Sequence, residues 1–253
     1  MVENTIPVSM FSMKKKNDGT PNPNYERILN YKKELVAAGA VDDIADASRV
    51  YVGGKSASID ENMYVNKQGK LVSTPQISSN FINKSRKDEV DSARFEMVGV
   101  VGKIRPEVDK EGEETGRLIV SFITFGYNGR ATVIDLIAED MIDCNAKTFI
   151  ESHWEEGDTV SVGGIIKMSY KTLEWEEEQG FGKPIKRHKT VSSRELLIDQ
   201  GAGEGFEESL SYDADLVRVA LDERETYKQS VIDKANSSSK ASKPEKKKGG
   251  FGF

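Results

Sequence analysis

Residues 170–190 read YKTLEWEEEQGFGKPIKRHKT. Three rings, Tyr170, Trp175 and Phe181, precede Lys183, Lys186, Arg187, His188 and Lys189, five basic residues within seven positions. Ring faces offer surfaces on which planar groups stack, and clustered cations neutralise a polyanionic chain; together they suit an unpaired nucleic-acid strand. Glu174, Glu176, Glu177 and Glu178 surround the tryptophan and would repel phosphate. The competing reading is therefore a solvated hairpin whose Trp175 covers the end of a barrel.

A second group lies earlier, in RLIVSFITFGYNGR: Arg117, Phe122, Phe125, Tyr127 and Arg130. In a strand, alternate side chains share a face, so Arg117 and Phe125 fall on one side and Phe122 on the other with Leu118 and Val120. Phe122 is thus expected in the core. Phe125 and Tyr127 are the candidate stacking pair, with core packing as the alternative for Phe125, and Arg117 and Arg130 are the candidate phosphate contacts.

Enzymatic chemistry finds no comparable pattern. The chain has no GxxxxGK[ST] phosphate loop and no GxSxG elbow, and GGKS at 53–56 has Arg49 where the loop's first glycine would stand, so it reads as a turn. Acidic residues are so frequent that pairs such as Glu139 and Asp140 single out no metal-dependent nuclease site. The lone Cys144 forms no internal disulfide, and His153 and His188 lack zinc-ligand spacing. Neither a cofactor nor a metal is expected, and the chain reads as a non-enzyme.

The elements that must position these residues are mostly strands. PNPNYERILNYKKELVAAGA has helical spacing, with Asn24 as a start signal and Gly39 as a stop. RVYV and MYVNKQGKLVS read as extended runs, the latter folded back at Asn66 to Gly69, and STPQISSNFINKSRKDEVD reads as a polar connector. Three strands follow at Phe95 to Ile104, Arg117 to Phe125 and Ala131 to Ala138. Next come helical turns in AEDMIDCNAKTFIESHWEEGD ending at Gly157, a fourth strand in DTVSVGGIIKMSY, and a fifth in SSRELLIDQG. Three strands, a helical connector and two strands is the element order of the five-stranded oligonucleotide-binding (OB) barrel. The sequence therefore predicts a mainly β protein. Residues 1–20 form a loose N-terminus, 21–92 an α/β extension and 93–202 the barrel, with a long hairpin between its fourth and fifth strands. Residues 203–235 form an acidic, helix-compatible segment, and 236–253 a disordered basic tail.

Charge separates these parts. Net charge is −6 over 253 residues, yet residues 234–253 hold six lysines and one glutamate, against 30 basic and 41 acidic residues before them. The tail is +5 and the body −11. No apolar run approaches the ~18 residues of a membrane span, and the first residues lack the order of a secretory signal, so a cytoplasmic protein without membrane contact is expected.

Ala138 to Asp140, the helical stretch, and then EGDTVSVGG from Glu156 to Gly164 resemble the corresponding run of bacterial and phage single-stranded DNA-binding proteins. The likeness covers residues 93–200 and is to a divergent, phage-type member, since residues 1–92 have no counterpart in the cellular protein. It implies sequence-tolerant binding of single-stranded DNA in replication, recombination or repair, in host cytoplasm if the protein is viral, and assembly as a homo-oligomer. Family members end in a linker and a terminal Phe that recruits replication and recombination proteins. Here Phe251 and Phe253 would fill that role, but the tip KKKGGFGF is basic where the family's is acidic, which points either to a partner pocket with an acidic rim or to a tail that competes for the protein's own acidic surface. RNA binding uses the same barrel, and a barrel serving as an assembly module without nucleic acid is the alternative function.

Overall fold

The computed structural model describes residues 5–85, 90–126, 129–178, 180–181, 183–201 and 211–241. In chain order the elements are β1 (Val8–Ser9), α1 (Pro23–Glu34), β2 (Val50–Tyr51), β3 (Ala57–Val65), β4 (Leu71–Ser79), β5 (Asn83–Lys84), β6 (Arg94–Val108), β7 (Glu114–Phe125) and β8 (Ala131–Ala138). After these come β9 (Asp140–Met141), β10 (Cys144–Asn145), α2 (Ala146–His153), β11 (Thr159–Glu177), β12 (Ile185–Gly201) and α3 (Ala214–Ala241).

Five strands close a barrel in the order β11-β12-β8-β7-β6, with β11 returning to β6. All contacts are antiparallel except β12 against β8, which run parallel at Leu197 and Ile137. With α2 between the third and fourth strands, this is the OB fold. Alternation fills it as the sequence dictates: Leu118, Val120 and Phe122 of β7 and Ile134 and Leu136 of β8 are buried inside. Ile150 and Trp154, from α2 and its C-terminal cap, join the same core.

The N-terminal extension is a three-stranded sheet, β1-β4-β3, whose Ile77 lies in the barrel's core cluster with Ile6 and Ile59 packed against it. The expected hairpin is present, with Val65 opposite Leu71. Several expectations are corrected. STPQISS, read as a connector, is most of β4, because Gln76, Ile77 and Ser78 pair with β3 and Ile77 supplies a core side chain. Part of the supposedly loose first twenty residues is pinned, since Val8 and Ser9 pair with Ile77 and Ser78 in parallel. The helix α1 is capped by Asn22, not Asn24, and ends at Glu34, ahead of Gly39.

Within the acidic segment a helix, α3, begins at Ala214, and it runs on to Ala241, into the stretch read as linker. Asp213 caps it, its Oδ1 accepting from the backbone N–H of Asp215 and of Leu216. Val217 and Ala220 bury one stripe of the helix on Val100, Ile123 and Ala131, on the outer face of the barrel. One turn further, Arg224 reaches the N-terminal sheet: its Nε donates to Glu61 Oε2 at 2.7 Å and its Nη2 to Glu61 Oε1. Both residues are only 8% exposed. The tail 242–253, with Phe251 and Phe253, lies outside the described residues.

Removing one partner of a buried ion pair strands the other charge. Arg224→Ala should therefore cost about 3–5 kcal/mol in urea unfolding, whereas replacing both Arg224 and Glu61 by Leu should cost far less. A Cβ on Gly164 would collide with the Leu197 carbonyl and the Phe95 ring. Gly164→Ala should accordingly lower stability by about 1–3 kcal/mol in the same assay.

Candidate nucleic-acid interface

The outer face of the second and third strands, with the loops after the first and fourth, is where OB barrels hold oligonucleotides. In this protein much of that face is occupied. Phe125 ends β7 with its ring 4.5 Å from the Tyr212 ring, tilted by 40°, and packs with the cluster under α3. The Arg130 guanidinium sits 4.3 Å above the ring of Tyr227, on α3. Tyr127 lies outside the described residues.

Arg117 points from the same face into carboxylates. Its Nε and Nη2 donate to Glu107 at 2.7 Å each and its Nη1 to Glu195 at 3.3 Å, with Glu139 4.0 Å away. These contacts, the Glu107 hydrogen bonds foremost, raise the Arg117 pKa, and the guanidinium in turn holds the Glu107 carboxyl below its ordinary value. Nearby, Arg105 pairs with Asp135, which also accepts from Ser121. Around Arg117 this face carries four carboxylates, Glu107, Asp135, Glu139 and Glu195, and the Arg105 and Arg117 guanidiniums are both paired among them. The loop after β6 adds Asp109, Glu111 and Glu113 against Lys110.

The hairpin of β11 and β12 differs. The two strands pair over sixteen rungs, from Val162 opposite Gly201 to Glu177 opposite Ile185, while β11 pairs with β6 only as far as Ile165. Beyond that point the hairpin is a two-stranded arm. Residues directly opposite in such a ladder share a face. Trp175 opposite Arg187 and Leu173 opposite Lys189 therefore lie on one side; Glu174 opposite His188 and Glu176 opposite Lys186 lie on the other. The glutamates flanking Trp175 in sequence point away from it, and each faces a basic residue across the ladder. Glu177 shares the tryptophan's side, where the Arg187 Nε donates to its Oε2 at 2.7 Å.

Trp175 is 49% exposed and Phe181, at the tip, 95% exposed; Lys183, Lys186, Arg187 and Lys189 are all exposed. Tyr170 stands at the arm's base on the side opposite Trp175, its hydroxyl donating to the Thr5 carbonyl at 2.8 Å. The structure thus brings Trp175, Arg187 and Lys189 together, with Phe181 and Lys183 beyond them. It sets Arg117, Phe125 and Arg130 apart on the barrel wall. Sequence reading missed Tyr212 and Tyr227, the rings that engage Phe125 and Arg130; the alternation of apolar residues in α3 was the available signal, but it does not name a docking face. Among the described residues no group of His, Cys, Asp and Glu is placed to hold a metal ion, and no helix is long and apolar enough to cross a membrane.

These features define an OB-fold protein with an extended arm between its fourth and fifth strands, built together with an N-terminal sheet and a C-terminal helix. The YorF family model matches residues 1–238, through the sheet, the barrel and most of α3, and the chain belongs to that family. No curated protein matches the chain.

Acid should weaken the Glu107 to Arg117 contact. Because Glu107's folded pKa is depressed, its contribution to stability is complete above the ordinary glutamate value of about 4.3 and is lost as pH falls through the folded value. The stability gap between wild type and Glu107→Gln should be widest near neutrality and close as acid protonates Glu107, as read from urea midpoints at falling pH.

Proposed function

We propose that this protein binds single-stranded DNA with little sequence preference, in phage-like DNA replication or recombination, and that the arm is its principal grip. The observation that carries this is the sorting of charge on the arm: Trp175 has Arg187 and Lys189 on its own face, with Glu174 and Glu176 turned away. A ring flanked by cations is the arrangement on which bases stack while phosphates are neutralised. The OB fold supports the reading, since the loop between the fourth and fifth strands is a usual oligonucleotide contact. The resemblance of residues 93–200 to single-stranded DNA-binding proteins supports it too. Lys183 and Phe181 extend the surface to the tip, and Lys186 serves the opposite side of the arm. Recruitment of replication or recombination proteins by Phe251 and Phe253 belongs to the same proposal.

One observation favours a second reading, that of an assembly module. The barrel wall around β7 and β8 has Arg105 and Arg117 already paired with carboxylates and carries α3, so it offers phosphate little free positive charge and a protein partner would suit it better than DNA would.

Fluorescence anisotropy with oligo-dT over a salt series separates the two. The first reading requires binding that weakens steeply with salt, as released counterions demand. Absence of binding at low salt, or affinity indifferent to salt, overturns it. Trp175→Ala should lose one stacking contact, about 1–3 kcal/mol or roughly 5- to 150-fold in affinity.

A further inference from the structure

The strongest unassigned surface lies on the N-terminal extension. Residues 5–35 hold six cations and three carboxylates in a chain whose net charge is −6. Three of those cations are consecutive, Lys14, Lys15 and Lys16, and directly before them come Phe11, 80% exposed, and Met13, 59% exposed. Among the described residues only one aromatic ring, Phe181 at the arm's tip, is more open to solvent than Phe11. Exposing a large ring and a thioether beside three ammonium groups wastes apolar burial and sets like charges together, unless a ligand with flat faces and negative charge covers them.

The backbone beneath the three lysines is hydrogen-bonded into a small hairpin. Lys15 bridges to Pro21, the Lys14 carbonyl accepts from the Asn22 N–H at 3.1 Å, and the Lys16 N–H donates to the Thr20 carbonyl at 2.9 Å. Gly19 turns this small hairpin at φ 83°, a left-handed backbone that favours glycine. The hairpin's acid, Asp18, is engaged by the hydroxyl and N–H of Thr20. Among the described residues none of the three lysines makes an ion pair, whereas Arg187 on the arm is already held by Glu177. The lysines therefore have the more to gain from phosphate.

The surface is tethered near the arm. Tyr170 binds the Thr5 carbonyl at the arm's base, and six residues of chain, at most about 20 Å, separate Thr5 from Phe11. Trp175 lies five strand residues from Tyr170, about 17 Å. Both surfaces thus fall within the reach of one strand occupying the ~4–16 nucleotides typical of an OB fold.

We infer that Phe11, Met13 and Lys14 to Lys16 form a second contact for the same single strand, engaged once the strand is long enough to run past the arm. This rests on the DNA-binding reading above. The test compares wild type, Phe11→Ala and the triple variant Lys14→Ala, Lys15→Ala, Lys16→Ala, using oligo-dT of about 5 and about 16 nucleotides over a salt series, with thermal melting as the folding control. The longer oligonucleotide should lose roughly 5- to 150-fold in affinity with Phe11→Ala. With the triple variant its log–log salt slope should shrink by about 2, while the short oligonucleotide binds all three proteins alike. Wild-type binding of the long oligonucleotide, with slope and affinity unchanged in both variants, overturns this inference and leaves the arm's role standing. No binding by wild type overturns both. Wild-type binding to vesicles of anionic phospholipid that vanishes in the triple variant, with DNA binding unchanged, would assign the surface to a membrane and overturn the inference.

Discussion

One strand carries two structural duties, and the arrangement depends on it. The first part of β11 closes the barrel by pairing with β6; its remainder leaves the barrel and, paired only with β12, becomes the arm. The β11–β12 register shifts by one residue between Gly163 and Gly164, just before the pairing of β11 with β6 ends at Ile165. There the Leu197 backbone and the Phe95 ring approach so closely that a side chain at 164 has no space. A bulge of this kind bends a strand and sharpens its twist. Barrel closure and the direction of the arm are thus set at a single point, and the face on which Trp175 lies follows from the register established there.

The remaining elements convert a small barrel into a larger body. Sheet β1-β4-β3 adds Ile77 to the core, and α3 covers Val100, Ile123 and Ala131 on the outside. Both additions make the barrel wall less accessible to an oligonucleotide. The arm, in contrast, has no third strand beyond Ile165 along β11 among the described residues and keeps its ring and cations exposed. Burial and exposure have been divided between wall and arm.

The barrel was legible because alternation is a local property. Leu118, Val120 and Phe122 announce an inner face within five residues, and all three are buried. The third strand was bounded correctly for the same reason. What stayed hidden depends on distant partners. Outward placement of Arg117 and Phe125 followed from the strand pattern, but the engagement of Phe125 and Arg130 by Tyr212 and Tyr227 did not, since those rings lie nearly ninety residues or more downstream. STPQISS hid its strand behind serines and Pro75, which composition reads as a loop. On the arm, run-on sequence placed four glutamates around Trp175; only the ladder register sorts Glu174 and Glu176 to one face and Glu177 to the other.

The Glu61 to Arg224 pair also orders events in time. Glu61 is synthesised 163 residues before its partner, which at ~5–20 residues per second leaves it waiting roughly 10–30 s. During that interval β3 and β4 can form a hairpin, but the carboxylate must remain hydrated, so the nascent sheet cannot seal against its final neighbours. The outer stripe of Ile123 and Val133 is likewise uncovered until α3 arrives. Completion of the fold is therefore a late, long-range event, and the period before it is when the growing chain is most exposed to self-association and to a cell's chaperones.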